Sequence, residues 1–362
     1  MVNRIKILSF LMAMAAVMIP GSLSAQLEEE QESECAKILR KAQKDYDDGL
    51  IEKVEQKITP CLNGSELTKE EKLQGYKLLT LSKLYDEKQE EAEEAMIKFL
   101  SIDPEYEIQP GVDPKEFSDL FADFHTSPLY TIGGYVGLNW TYVNSYLERG
   151  VYNTAQELKE YTPDIQLQFG FTVSRYIYNG FNAHLDLAFV QNKYTYTHTT
   201  LGGLSEVTAS EFQTILSVPV SITYTFRRFK TIRPYVRAGF GLRYMIAAEQ
   251  ADQVKSYPGT DIAPVTGPNI DIKNERNALM FEGIFGGGVK YKIPRGDIFL
   301  DVRYAIGLGN QRNESSDQVL NDDERLWDFD ISDNDFTLNS LYGSVGFNYY
   351  LYKPRKKKEK NE

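Results

Sequence analysis

Residues 281–309, FEGIFGGGVKYKIPRGDIFLDVRYAIGLG, alternate apolar and polar side chains over two long runs separated by Pro294, Arg295 and Gly296. Successive side chains on a strand point to opposite faces. One face therefore carries Phe281, Phe285, Val289 and Tyr291, then Ile298, Leu300, Val302, Tyr304 and Ile306 after the turn; the other carries Glu282, Lys290, Lys292, Asp301 and Arg303. Each run is about 14 residues, against the five or six usual for a globular strand. Two antiparallel strands of this kind fit a soluble sandwich with its apolar face inward. They also fit a small barrel whose apolar face meets lipid and whose polar face lines the interior.

The amino terminus bears on that choice. MVNRIKILSFLMAMAAVMIPGSLSAQ places Arg4 and Lys6 before an apolar run over residues 7–19, followed by Pro20, Gly21 and small residues to Ala25. That order predicts a secretory signal peptide over residues 1–25. The run is shorter than the roughly 20 residues that a spanning helix needs, and no other run approaches it. A membrane location would have to be reached with strands.

The alternating pattern recurs from Pro128 onward and predicts eight strands, near 131–144, 163–177, 181–197, 208–226, 233–247, 277–292, 297–310 and 335–352. Connections are expected to be long after the first, third, fifth and seventh strands and short after the second, fourth and sixth. An even strand number with short turns at one end and long loops at the other is the pattern of a bacterial outer-membrane barrel. Parity agrees: Ile165, Leu167, Phe169, Phe171 and Val173 share one face of the second strand, with Gln166, Gln168, Thr172 and Ser174 opposite. Arg237, Arg243, Glu282, Lys290, Asp301 and Arg303 then fall on the inward face and are expected to neutralise one another there. Eight strands enclose a space just wide enough for side chains, which argues against an open pore.

Charge divides the chain in two. The net charge is −12 over 362 residues, with 26 acidic and 13 basic residues over 26–127 and 26 and 25 over 128–362. The excess of negative charge in the first part predicts a separate domain that does not bind nucleic acid. Its pattern is helical: ECAKILRKAQKDYDDGLIEKVEQKITPCL has apolar Ile38, Leu39 and Ala42, a break at Asp47, Asp48 and Gly49, then Ile51, Val54 and Ile58, with Pro60 expected to stop the second helix. Cys35 and Cys61 are the only cysteines, at opposite ends of this hairpin in sequence. Antiparallel helices bring such ends together, so an exported chain is expected to join them in a disulfide, with two separate thiols as the alternative. A further short helix is expected over 114–124, capped by Asp113 with Pro114 at its first position.

Two resemblances follow from longer stretches. In LQGYKLLTLSKLYDEKQEEAEEAMIKFLSIDPEY, Tyr76, Leu79, Ala92 and Pro104 stand where a tetratricopeptide unit places its aromatic, its leucine, its small contact residue and its terminating proline. Thr80 and Lys83 depart from the usual glycine and aromatic. The region resembles a short tetratricopeptide-like module, which implies protein–protein contact through a helical groove; a helical spacer without a partner is the alternative. Over roughly residues 130–352, YTIGGYVGLNW, RPYVRAGFGLRY, FGGGVKYKI and LYGSVGFNYYLY resemble the PorT-like outer-membrane β-barrel family. That resemblance implies a small barrel and, for some members, a place in the type IX secretion apparatus. The last strand also resembles a terminal signal for barrel-assembly machinery, with Gly346, Tyr349 and Leu351 in suitable positions.

Catalysis finds little footing in the sequence. Of three histidines, His125 lies in the linker, His198 in an expected loop, and His184 shares inward parity with Asp186. No serine at diagnostic spacing completes a nucleophilic arrangement. NDDERLWDFDISDND, residues 321–335, is acidic enough to raise calcium but lacks the glycine and terminal glutamate of a calcium-binding helical loop, so a solvated outer loop is expected. The expected product is an α+β multidomain chain without enzyme activity, cofactor or metal. It comprises the signal peptide, a periplasmic tetratricopeptide-like helical domain over 26–127, an eight-stranded antiparallel transmembrane β-barrel over 128–352, and a basic periplasmic tail over 353–362. Its expected partners are outer-membrane lipid and envelope proteins recruited by the helices. A subunit of the type IX apparatus and a surface barrel binding a ligand through its outer loops are the alternatives.

Overall fold

Asn179 and Gly180 both take left-handed backbone angles, φ 43° and 92°. This pair closes the turn between the strands Leu158–Tyr178 and Phe181–Thr200. Such two-residue turns match the right-handed twist of the strands they join. The computed structural model describes residues 33–148, 158–200, 203–226, 231–314, 329, 331 and 334–357. The expected signal peptide lies outside these residues, as do most of the acidic loop over 321–335 and the end of the basic tail.

The chain divides into two compact units between Ala95 and Met96. The first contains α1 (Glu34–Asp47), α2 (Ile51–Leu62), α3 (Lys69–Tyr85) and the start of α4 (Gln89–Ile102). Ser33 caps α1 by accepting a hydrogen bond from the Ala36 amide. Thr68 and Glu71 form a reciprocal capping box at the start of α3. Gly49, at φ 76°, provides the break between α1 and α2. Pro60 does not stop α2, which runs on to Leu62; a proline in the last turn removes one helical hydrogen bond without blocking the residues that follow. Leu39, Ala42, Val54, Ile58, Leu62 and Leu78 form the buried centre of this unit. Cys35 and Cys61 are joined in a disulfide, with their Cα atoms 5.5 Å apart.

The second unit takes in the end of α4, then α5 (Lys115–Ala122) and the strands. At α5 the cap is Pro114, not Asp113. The Asp113 carboxylate instead accepts hydrogen bonds from the Gln109 amide, at 2.6 Å, and from the Tyr106 hydroxyl, at 2.9 Å. The long strands are β1 (Tyr130–Leu147), β2 (Leu158–Tyr178), β3 (Phe181–Thr200), β4 (Ser205–Thr225), β5 (Ile232–Ser256), β6 (Leu279–Ile293), β7 (Gly296–Leu308) and β8 (Asp335–Leu351). Each pairs antiparallel with the next, and β8 pairs with β1. The two-residue strands Val265–Thr266 and Ile270–Asp271 fold back on β5, giving a ten-stranded, barrel-like sheet. Phe124–His125 forms a separate short ladder with Arg355–Lys356.

Strand ends differ from expectation on the long-loop side. The connection from β3 to β4, expected to be long, is only 201–204, and β5 continues to Ser256. His198, expected in a loop, therefore lies on β3. The strand pattern continues there with polar residues: Tyr194, Tyr196 and His198 stay buried along β3 although the intervening Thr195 and Thr197 are not apolar. Among the described residues no helix is long and apolar enough to cross a membrane.

Candidate functional site

The sheet buries its polar face and exposes its apolar one. Arg243 is 1% exposed and Phe240, three residues earlier on the same strand, is 72% exposed. The same inversion holds on β7, where Asp301 and Arg303 are buried while Leu300 and Val302 are exposed. It holds on β2, where Gln168 and Thr172 are buried and Leu167 and Phe171 exposed. The buried charges must then be satisfied by one another and by the polar side chains around them.

They pair with one another, the largest group centred on Asp186 of β3, while Asp186 Oδ1, Arg237 Nε, and Arg243 Nε and Nη2 form no hydrogen bond among the described residues. The Asp186 carboxylate accepts a hydrogen bond from Arg237 Nη1 at 3.0 Å and lies 3.6 Å from Arg303 Nη1. Arg303 is also 2.9 Å from Asp301, which accepts a hydrogen bond from the Tyr235 hydroxyl at 2.7 Å. The Arg303 guanidinium lies over the rings of Tyr135 and Tyr342, at 5.0 and 5.7 Å from their centroids. Arg243 faces Glu282 at 3.7 Å, and Glu282 accepts from Ser217 at 3.2 Å. His184 hydrogen-bonds Thr223 at 2.9 Å. Glycines make space for the large rings: a Cβ at Gly170 would stand 2.6 Å from Tyr135 Cζ, and one at Gly288 would stand 2.8 Å from the Tyr235 hydroxyl.

Five of the six charges expected to neutralise one another, Arg237, Arg243, Glu282, Asp301 and Arg303, are thus paired in the interior, with Asp186 joining two of them. Lys290 stands apart from the pairs, its Nζ 5.1 Å from the centre of the Tyr235 ring. Two further pairs lie toward the long loops. Arg276 binds both oxygens of Glu211, at 2.9 and 2.8 Å, and Arg312 bonds Asp335 at 3.2 Å. Inward parity marks Asp186 and Glu211 in the sequence, but Arg276 and Arg312 lie outside the long strands and give no such signal. Phe329 and Ile331 pack with Tyr196, Val207 and Ala209 at this end. Among the described residues no group of three His, Cys, Asp or Glu side chains is arranged to hold a metal.

In the helical unit, Tyr76 and Leu79 pack against the buried centre and Ala92 is fully buried. Lys83, an outlier from the tetratricopeptide pattern, is buried and bonded to both Glu55 and Glu91. Burial disfavours its charge, but the two carboxylates outweigh burial and hold its pKa above the ordinary lysine value. Pro104 belongs to the second unit, where burial and then the Asp113 carboxylate push the nearby Tyr106 hydroxyl up to about 12.

The sequence model of the outer membrane protein β-barrel domain matches residues 121–313, more than half of the chain. Solved structures similar to the chain include Neisserial surface protein A, at 12% identity and a TM-score of 0.33, covering 61% of this chain and 97% of that one. The outer membrane protein OprG from Pseudomonas aeruginosa matches at 11% identity and a TM-score of 0.33, covering 64% and 97%. No curated protein matches the sequence.

Proposed function

Because the chain belongs to the outer membrane protein β-barrel family, we propose that its strands form a closed eight-stranded transmembrane barrel that anchors the helical unit in the periplasm for the recruitment of envelope proteins. The observation that carries the anchor is the inverted sheet. Exposed large apolar side chains occur on every long strand, as contact with lipid requires. Pairing of β4 with both β3 and β5, and of β8 with β1, leaves no long strand with an unpaired edge, which hydrocarbon could not satisfy. The pairs of Asp186 with Arg237, of Asp301 with Arg303 and of Glu282 with Arg243 fill the interior.

The recruiting role rests on the first unit having a buried centre and a disulfide of its own. A unit built that way does not depend on the lipid-facing sheet for its apolar packing. Short turns at 179–180 and 294–295 lie at the end of the strands where β1 begins and β8 finishes, and in bacterial barrels the short turns face the periplasm. The resemblance to PorT-like barrels makes a subunit of a type IX secretion apparatus the alternative.

Orientation and role are tested together. A single cysteine at Val112 should react with an impermeant reagent only after the outer membrane is opened, whereas one at Ile262 should react on intact cells. A photo-crosslinking residue at Tyr85, which is 71% exposed, should capture a defined envelope protein at equal membrane abundance, and one at Ile262 should not. Capture only from Ile262 would favour a ligand-binding surface barrel and end the recruiting role.

A further inference from the structure

A cavity of about 450 Å³ opens at the short-turn end of the sheet. Its size lies within the roughly 300–1,000 Å³ of small-molecule sites. Two other cavities in the strand unit measure about 30 and 10 Å³, the scale of a single water molecule.

Several elements build its walls. Thr131, Ser174 and Asn182 come from β1, β2 and β3, Lys290 from β6, and Glu105 and Tyr106 from the segment after α4. That segment is pinned. Glu105 accepts hydrogen bonds from the Arg295 amide at 3.0 Å and from the Tyr352 hydroxyl at 2.8 Å. Arg295 Nη2 donates to the Ile102 carbonyl at 3.2 Å, and the Lys357 amide donates to the Asp123 carbonyl at 2.7 Å. The wall contributed by this segment is therefore held in place by hydrogen bonds to the turn at Arg295 and to Tyr352.

Its charges are unevenly satisfied. The Asp297 carboxylate accepts from Asn348 at 2.8 Å and from the Tyr350 hydroxyl, and Glu105 is held as above. Neutral donors thus occupy Asp297 and Glu105, while a third acid, Glu107, also lines the cavity. The half-buried Lys290 ammonium, by contrast, has no hydrogen-bond acceptor and no ion-pair partner among the described residues; it stands over the Tyr235 ring. Arg233 and Lys292 add positive charge to the same walls, Lys292 standing 3.9 Å from Glu105. The Asp297 and Asp301 carboxylates act on the Lys290 ammonium only from beyond ion-pair distance; an ammonium drawn out of water without an anion in contact is unfavourable, and an anion in the cavity would relieve it.

We infer that this cavity binds a small hydroxylated anion, one carrying a carboxylate or phosphomonoester. Lys290 receives the anionic group. Thr131, Ser174 and Asn182 supply hydrogen bonds to hydroxyl groups on the rest of the molecule.

The test uses the full chain, folded in a neutral polyoxyethylene detergent and titrated calorimetrically with glucose 6-phosphate, glucuronate and glucose. Saturable binding of either anion, with none of glucose, is expected. Lys290→Gln should weaken it by about tenfold or more, the loss of one charge-assisted hydrogen bond, while Lys290→Arg retains most of it. Thr131→Phe, which fills the space and leaves every charge in place, should weaken it too. Heat-resistant migration of each variant reports that it is folded. No saturable binding of either anion by the unaltered chain, equal binding of glucose, or unchanged binding by folded Lys290→Gln would overturn the assignment.

Discussion

The helical unit and the strand unit follow one physical rule and reach opposite arrangements. In the first, Val54 and Ile58 are buried and most charges of α1 and α2 lie outside. In the second, Arg237, Asp186 and Arg303 are buried and Phe240, Leu300 and Phe171 lie outside. Apolar surface leaves water in both cases. What differs is where apolar surroundings are found: among the unit's own side chains in one case, and in lipid in the other. A buried charge is therefore an exception in the helices and the rule inside the strands.

Removing a carboxylate should expose that difference most strongly. Asp186→Ala strands Arg237 and part of the Arg303 interaction in the interior and should cost about 3–5 kcal/mol, as breaking a buried pair does. Asp45→Ala, which removes a partner of Lys57 in the helical unit, should cost less than about 1 kcal/mol. Equilibrium unfolding in lipid vesicles measures the first, and urea unfolding followed by helical circular dichroism the second. Similar losses at both positions would break the comparison.

Charge placed on the outer face should rank next. Phe240→Arg should destabilise the folded strands in lipid by about 2–4 kcal/mol, although a water-exposed phenylalanine would tolerate the change; unfolding in the same vesicles decides between them. Loss of the Cys35–Cys61 disulfide should cost the helical unit about 3 kcal/mol and leave the strand unit's heat resistance unchanged, as urea unfolding and gel migration of the reduced chain would report.

The smallest effect concerns Lys83. Its pKa is raised in the folded state, so its pairing with Glu55 and Glu91 contributes fully below the ordinary lysine value of 10.5 and fades as pH rises through the higher folded value. The helical unit's melting temperature should fall over that alkaline range, and Lys83→Met should flatten that part of the fall. A parallel fall in both proteins would remove the pair from the account of this unit's stability.

Period-two alternation makes the eight strands and their inward charges legible, since Asp301 and Arg303 share a face whatever their partners are. The helical break and the disulfide are legible for a similar reason, because local periodicity brings Cys35 and Cys61 to one end. Partners far apart in sequence are not. Glu55 lies 28 residues from Lys83, Glu211 lies 65 from Arg276, and Glu105 lies 190 from Arg295. Nothing local marks any of those pairs. The extension of β3 and β4 reads as a loop in the sequence because its outer face turns polar once it has no lipid to meet, which erases the apolar half of the alternation.

Lipid contact along β7 tests the inversion most directly. Single spin-labelled cysteines at positions 297 to 303, in the full chain in lipid bilayers, would report collision with oxygen dissolved in the hydrocarbon. High collision rates at Ile298, Leu300 and Val302, with low rates at Phe299, Asp301 and Arg303, are the predicted result. Rates that do not alternate, or that alternate the other way, would contradict a sheet that faces lipid with its apolar side.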